Sequence, residues 1–224
     1  GIPAVMVGLS DGKALASWRT LYPTATLQLD PGARLVEATA GAVSEASARG
    51  PAFMRYLKPD LVAPGVAVLS AGYGPEAQEP PYVELSGTSV AAAHAAGAAA
   101  LLLQAHPDWG HAEVKAALMG AATVEGLWAD AKALEPAGVL SRGAGRIDLA
   151  KASSPPLLIE PPSISLPEAR AGDTYTVVLA LSDTRTSGTT VTVTPAVSVT
   201  GMISISLPGS IEIAPGETVT VSVR

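Results

Sequence analysis

YVELSGTSVAAAHAAGAAALLL, residues Tyr82–Leu103, is the stretch that decides the fold of this chain. Its first four residues favour a β-strand, Ser86-Gly87 favours a tight turn, and the remainder, rich in Ala, Gly and Leu, predicts a helix. Ser89 therefore lies in the first helical turn, where unpaired N–H groups and the positive end of the helix dipole stabilise negative charge. This position suits a nucleophilic hydroxyl. A Ser or Thr at a helix start also commonly acts only as a cap, so the stretch alone leaves both roles open.

The predicted helix is apolar on all sides, and we expect it to be buried between layers of a sheet protein. Gly97, in its middle, costs about 1 kcal/mol relative to Ala, which predicts close packing against another backbone. The apolar run Val90–Leu103 is interrupted by His94 and has fourteen residues. A bilayer core of roughly 30 Å requires a longer helix, so no membrane span is predicted.

Further motifs flank this stretch in a fixed order. LKPDLVAPG (Leu57–Gly65) lies upstream, and HPDWGHAEVKAALMGAAT (His106–Thr123) and GAGRIDLAKA (Gly143–Ala152) lie downstream. Together with GTSVAAAH (Gly87–His94), they resemble the C-terminal half of the catalytic domain of subtilisin-like serine peptidases, whose nucleophile motif is G-T-S-M-A-x-P-H. The resemblance implies that Ser89 is the catalytic nucleophile and that the substrate is a protein or peptide.

The family order also implies an Asp, a His and an oxyanion Asn before the nucleophile. No His precedes Ser89, Asn is absent from all 224 residues, and Asp11-Gly12 lacks the Ser or Thr of the family's Asp motif. His94 lies about 7.5 Å along the helix axis from Ser89 and is expected to be structural, whereas His106 and His111 follow the far end of the helix as surface or cap residues. The resemblance implies that the chain needs the N-terminal half of the catalytic domain and is inactive alone.

A non-catalytic binding or adhesion scaffold derived from this family is the alternative hypothesis. Ala93 stands where the family motif has Pro, a departure that restores a helix N–H and removes a kink or a packing contact. The coding sequence upstream of Gly1 separates the two hypotheses, because intact Asp, His and Asn motifs there indicate a peptidase.

The amino-acid composition excludes several classes of partner and site. A net charge of -6 with a pI near 5.0 leaves no basic face for nucleic acid. The absence of Cys excludes disulfides and thiolate metal sites within this sequence. His106, Asp108 and His111 form only a loose set of ligand types in a turn, so we predict no metal, and no cofactor is predicted.

The predicted fold class is α/β, a partial subtilisin-like parallel sheet with helices, joined to an all-β antiparallel sandwich. Residues 1–38 resemble the end of a protease-associated insert domain, although an ordinary strand-helix-strand unit accounts for them equally well. Residues 39–153 resemble the C-terminal half of the catalytic domain. Residues 157–224 alternate Thr, Val, Ser and Ile with period two and resemble a fibronectin type III-like β-sandwich. The resemblance implies a secreted or cell-envelope location.

Local patterns predict the remaining elements. We expect Ser10 or Asp11 to cap the first helix. We also expect Val114, Ala117, Leu118 and Ala121 to lie on one face of an amphipathic helix over His111–Ala122. Predicted strands cover Gly1–Gly8, Ala25–Asp30, Leu61–Ala63 and a buried Val66–Ala71, predicted helices cover Gly12–Leu21 and His111–Ala122, and a loop covers Gly72–Pro81.

Overall fold

The computed structural model describes residues 9–24, 39–53, 56–72, 82–166, 170, 172–187, 190–193, 206 and 209–224. The chain divides into two compact units, Gly1–Glu37 and Ala38–Arg224. The helices are α1 (Leu9–Leu21), α2 (Thr88–Ala105), α3 (His111–Gly120), α4 (Val139–Arg142) and α5 (Leu149–Ala152). The strands are β1 (Val68–Ala71), β2 (Tyr82–Leu85), β3 (Leu157–Glu160), β4 (Val177–Asp183), β5 (Val191–Val193), β6 (Ile211–Ile213) and β7 (Thr218–Val223).

The first unit contains α1, which confirms the predicted first helix. The helix begins at Leu9, so the prediction that Ser10 or Asp11 caps it is wrong. Both residues instead lie within the helix. The strands predicted at Gly1–Gly8 and Ala25–Asp30 lie outside the described residues.

Helix α3 contributes more buried residues than any other element to the largest apolar cluster described in the second unit. Val114, Ala117 and Leu118 are buried and Ala121 is half-buried, which confirms the predicted face of this helix. The helix contacts α2, α5 and β3. One apolar cluster therefore joins α2 to the C-terminal sheet through α3, and its buried members are Ala98, Leu102, Val114, Ala116, Ala117, Leu118, Ala152 and Leu158.

Helix α2 forms as predicted, but its predicted burial is wrong. Only Ala98 and Leu102 of its 18 residues are buried, and Leu101 and Leu103 are 53% and 44% exposed. A helix that is apolar on every side needs neighbours on every side, and the described residues cover only the face toward α3. The close approach predicted at Gly97 is likewise absent from the described chain, since no atom lies within 4 Å of the position a Cβ would take.

Among the described residues, α2 is also the one helix that is long and apolar enough to cross a membrane. It has 18 residues with a mean hydropathy of 1.3, which makes it longer than the fourteen-residue apolar run in the sequence. The core helix of a soluble protein meets the same criteria of length and composition. The absence of a membrane span therefore stays a prediction.

Strands β1 and β2 form an antiparallel hairpin that leads into α2. Its register pairs Val68 with Leu85 and Ala71 with Tyr82. The predicted strand at Val66–Ala71 is thus confirmed over its last four residues, but its predicted burial is wrong, since Leu69 is 70% exposed. The cause is the same as for α2, because no described layer covers this two-stranded sheet. Most of the predicted loop Gly72–Pro81 lies outside the described residues.

Parallel pairing occurs in the described residues only as isolated bridges. Ala42 pairs with Trp128 and Val62 pairs with Arg146 in parallel, whereas every described sheet is antiparallel. The strand predicted at Leu61–Ala63 is reduced to the single bridge at Val62. The fold is therefore a mixture of helices and antiparallel sheets, with parallel contacts between single residues in place of the predicted parallel sheet.

The C-terminal region contains two antiparallel sheets. One has the strand order β3-β4-β7 and the other pairs β5 with β6. Ile213 of β6 is fully buried in a cluster with Leu181 of β4 and Val221 of β7. The period-two alternation of this region thus predicted β-structure correctly where the residues are described. The arrangement of these sheets as a β-sandwich stays a prediction.

The anchoring of α2 on α3 is tested by a matched pair of substitutions. Leu102 is fully buried, and we expect Leu102→Ala to lower the free energy of unfolding by about 2–5 kcal/mol because it leaves a cavity. The neighbouring Leu101 is half exposed, and Leu101→Ala is expected to cost less than about 1 kcal/mol. Urea unfolding of both variants measures the difference, and equal losses would contradict the packing described above.

Candidate active site

Ser89 is an exposed residue in the first turn of α2. The helix begins at Thr88, with Gly87 as its N-cap residue, and no described side chain caps this end. Ser89 is therefore inside the helix and is not its cap. Its hydroxyl stands beside the positive end of the helix dipole, where negative charge on an oxygen is stabilised.

Gly87 gives the turn before Ser89 its shape. Its φ of 157° and ψ of 161° lie in a region of backbone space that only glycine occupies readily. In this conformation the Gly87 carbonyl accepts hydrogen bonds from Val90 N at 3.1 Å and from Ala91 N at 3.3 Å, which begin the helix. The chain can consequently turn from β2 into α2 within two residues.

A second glycine, Gly65, holds this turn from the neighbouring segment. Its carbonyl accepts a hydrogen bond of 2.7 Å from Gly87 N. A Cβ at Gly65 would stand 2.9 Å from the Gly87 carbonyl oxygen and 3.0 Å from the Cβ of Ala91. The backbone of the Pro-Gly segment thus lies against the start of α2, at a distance that excludes a larger residue.

The segment that carries Gly65 is anchored in turn by backbone hydrogen bonds to residues 144–147. Val62 N donates to Gly145 O at 2.8 Å, and Ile147 N donates to Val62 O at 3.0 Å. Ala144 N donates to Asp60 O at 2.9 Å. Three of the four sequence motifs therefore form one connected scaffold, in which residues 144–147 fix residues 60–65 and Gly65 fixes the turn that carries Ser89.

Asp60 links this scaffold to α3. Its carboxylate lies 2.5 Å from Lys58 Nζ and 3.2 Å from Lys115 Nζ, and Lys115 belongs to α3. Partial burial opposes ionisation of Asp60, but the hydrogen bonds and charges of Lys58 and Lys115 outweigh burial and hold its pKa below the ordinary value. Asp60 is therefore a structural anion, and nothing in the described contacts joins it to Ser89.

The three histidines lie where the sequence predicted, and no described hydrogen bond joins any of them to Ser89. His94 is exposed and its Nδ1 lies 3.1 Å from Val90 O within α2. His106 ends α2, stacks on Trp109 with ring centroids 3.8 Å apart, and has its Nε2 2.8 Å from Ser153 O. His111 is the exposed first residue of α3. Among the described residues, Ser89 therefore has no histidine within hydrogen-bonding contact.

Among the described residues, neither a cluster of metal ligands nor either of the two best-defined depressions includes Ser89. In the described part of the chain no three His, Asp or Glu side chains converge on a common point, and the expectation of no metal stays a prediction. Two open depressions of about 450 and 490 Å³ lie between α3 and the segment around β3, and Ser89 lines neither.

Two further residues, Ser86 and Ala67, contribute to the turn. Ala67 N donates a hydrogen bond of 2.8 Å to Ser86 Oγ, and Ala67 has a φ of 51°. The sequence assigned Ser86 to a tight turn but did not indicate its partner, which lies 19 residues away. The positive φ of Ala67 could not be predicted from the sequence, since alanine rarely adopts that conformation.

The chain is similar in sequence to known proteins. A family model described as the subtilase family matches residues 6–145, which is more than half of the 224-residue chain. Subtilisin-like protease SBT1.3 of Arabidopsis thaliana is 37% identical over 174 residues, covering 71% of this chain and 22% of that protein. Subtilisin-like protease SBT3 of Solanum lycopersicum is 34% identical over 176 residues, covering 70% and 23% respectively. The chain thus spans less than a quarter of the length of these relatives.

The special conformation of the turn is tested at Gly87. We expect Gly87→Ala to lower the free energy of unfolding by about 1–3 kcal/mol more than a control substitution, because a Cβ is strained at this φ and ψ. The control is Gly138→Ala. Gly138 is also a helix N-cap, but its φ is -74° and the position of its absent Cβ is open. Chemical denaturation compares the two, and equal effects would contradict a special role for the Gly87 backbone.

Proposed function

Because the chain belongs to the subtilase family, we propose that it is the part of a serine endopeptidase that carries the nucleophile, Ser89. The observation that carries the proposal is the position of the Ser89 hydroxyl in the first turn of α2, after a turn fixed by Gly87 and Gly65. The substrate class is protein or peptide, in agreement with the names of the relatives. No cofactor or metal is part of the proposal.

The chemistry is acyl transfer. Ser89 Oγ attacks the scissile carbonyl carbon and loses its proton to a general base, and the oxyanion forms beside the Ser89 N–H and the helix N-terminus. The C–N bond then breaks, the base returns the proton to the leaving amine, and water hydrolyses the acyl-enzyme. This chain contributes the nucleophile, the backbone donors and the helix dipole. The base, its orienting Asp and the oxyanion Asn are assigned to the N-terminal half of the catalytic domain, outside this sequence.

The exposed apolar surface along α2 and the β1-β2 hairpin supports this need for a second half. Leu101, Leu103 and Leu69 are exposed on α2 and the β1-β2 hairpin, and Gly97 offers an open surface to a neighbouring backbone. A protein layer accounts for this surface better than lipid does. In a bilayer, His94 and other polar side chains of α2 would lie in hydrocarbon, where they are costly.

The remaining parts of the proposal concern the domains. We assign residues 1–38 to the end of a protease-associated insert, 39–153 to the C-terminal half of the catalytic domain, and 157–224 to a fibronectin type III-like β-sandwich. The separate compact unit Gly1–Glu37 supports the first assignment. The cluster that joins Ile213 to the three-stranded sheet supports the last one. A secreted or cell-envelope location completes the proposal.

A non-catalytic binding or adhesion scaffold is the second candidate. It is favoured by Ala93, which stands where the nucleophile motif of the family has Pro. Under this proposal Ser89 keeps its place in the fold but has no activating base, even in the full-length protein.

A fluorophosphonate probe, which labels only activated serines, separates the two candidates. We expect the full-length protein to be labelled at Ser89 and to hydrolyse casein, and the 224-residue chain alone to do neither, because it lacks a base. Ser89→Ala in the full-length protein is the control and should abolish labelling. Failure of the full-length protein to react favours the scaffold, and strong labelling of the isolated chain would contradict the assignment of the base to the N-terminal half.

A further inference from the structure

The hairpin that leads to Ser89 contains an irregularity at Ala67. The β1-β2 register ends with the pair Val68 and Leu85, and the next backbone hydrogen bond toward α2 runs from Gly87 N to Gly65 O at 2.7 Å. Two residues, 66 and 67, therefore lie opposite the single residue Ser86. This two-against-one arrangement at the end of the hairpin, called here the Ala67 bulge, has the residue count of a β-bulge, a feature that increases the local twist and redirects the chain that follows.

The bulge places Ala67 in an unfavourable conformation. Its φ of 51° lies in the left-handed region, where the Cβ of any residue except glycine crowds the following carbonyl. A residue remains in such a conformation only when its surroundings hold it there. For Ala67 the holding contact is with Ser86 Oγ, which accepts a hydrogen bond of 2.8 Å from Ala67 N.

The Ser86 hydroxyl accepts its hydrogen bond across the hairpin, from Ala67 N, and does not cap α2. No described side chain caps the start of α2, so Ser86 does not serve as an ordinary cap residue for this helix. Its contact instead joins the two strands at the last point before the chain enters the turn. Gly65 and Gly87 form the next contact, and Ser89 follows two residues later.

Resting on the function proposed above, we propose that Ser86 is a positioning residue for Ser89. The Ser86 hydroxyl holds the Ala67 bulge closed, the bulge sets the relative position of Gly65 and Gly87, and these glycines set the first turn of α2. The far end of the helix is fixed separately by Leu102 on α3. Without the Ser86 hydroxyl, the helix stays anchored at Leu102 and its nucleophile end shifts.

The test uses the full-length protein and a fluorogenic peptide substrate. We expect Ser86→Ala to lower kcat on the order of 10- to 100-fold while KM changes less than about twofold, because a small displacement of a nucleophile slows chemistry more than binding. Ser86→Thr keeps the hydroxyl and should restore kcat. The matched control is Ser165→Ala, since Ser165 Oγ also accepts a backbone hydrogen bond of 2.8 Å, from Leu57 N, away from α2.

A second pair of variants covers the case in which Ser86→Ala fails to fold. Ala67→Val keeps Ser86 but opposes the positive φ, because β-branched residues avoid that conformation. Ala133 has a similar φ of 53° elsewhere in the chain, so Ala133→Val imposes the same backbone penalty as a control. We expect a drop in kcat for the first substitution, and for the second only a lower melting temperature.

The outcomes separate this inference from the function on which it rests. A wild-type full-length protein without peptidase activity overturns both. An active wild type in which Ser86→Ala and Ala67→Val retain the kcat of their controls overturns the positioning role alone. Loss of kcat in Ser86→Ala that Ser86→Thr does not restore also counts against it, because the hydroxyl is then not the group that matters.

Discussion

The contact between α2 and α3 is the interaction on which the rest of this molecule depends. Leu102 and Ala98 form the only buried face of α2 in the described chain, and they pack into the same cluster as α3, α5 and β3. This cluster links the helix that carries Ser89 to the C-terminal sheet. Apolar packing therefore anchors α2 about four helical turns away from Ser89.

At the other end of α2, position is set by backbone geometry instead of packing. Gly65 and Gly87 approach closely enough that a Cβ on Gly65 would meet backbone, and hydrogen bonds from residues 144–147 hold the segment that carries Gly65. Three of the four motifs that carry the family resemblance are thus linked by backbone hydrogen bonds through residues 60–65. They are far apart along the chain and meet only in the fold.

Sequence patterns predicted where helices and strands form better than they predicted what packs against them. The strand-turn-helix around Ser89 and the buried face of α3 are local patterns, and both were predicted correctly. The burial of α2 and the close approach at Gly97 were wrong for the described residues, because composition reports what a helix needs and not what the same chain provides. The bulge at Ala67 was missed, since nothing in the sequence marks an alanine that adopts a positive φ.

Helix α2 is apolar but has only one covered face among the described residues, and Gly97 lies on its uncovered side. In the 224-residue chain, where no described atom lies within 4 Å of the position of a Cβ, Gly97→Ala is expected to raise the free energy of unfolding by about 1 kcal/mol. In the full-length protein, where the N-terminal half is proposed to pack there, the same substitution is expected to lower it. The most direct measurement is urea unfolding of both proteins with and without Gly97→Ala. Opposite signs are the predicted result, and stabilisation of both proteins would contradict the presence of a covering layer.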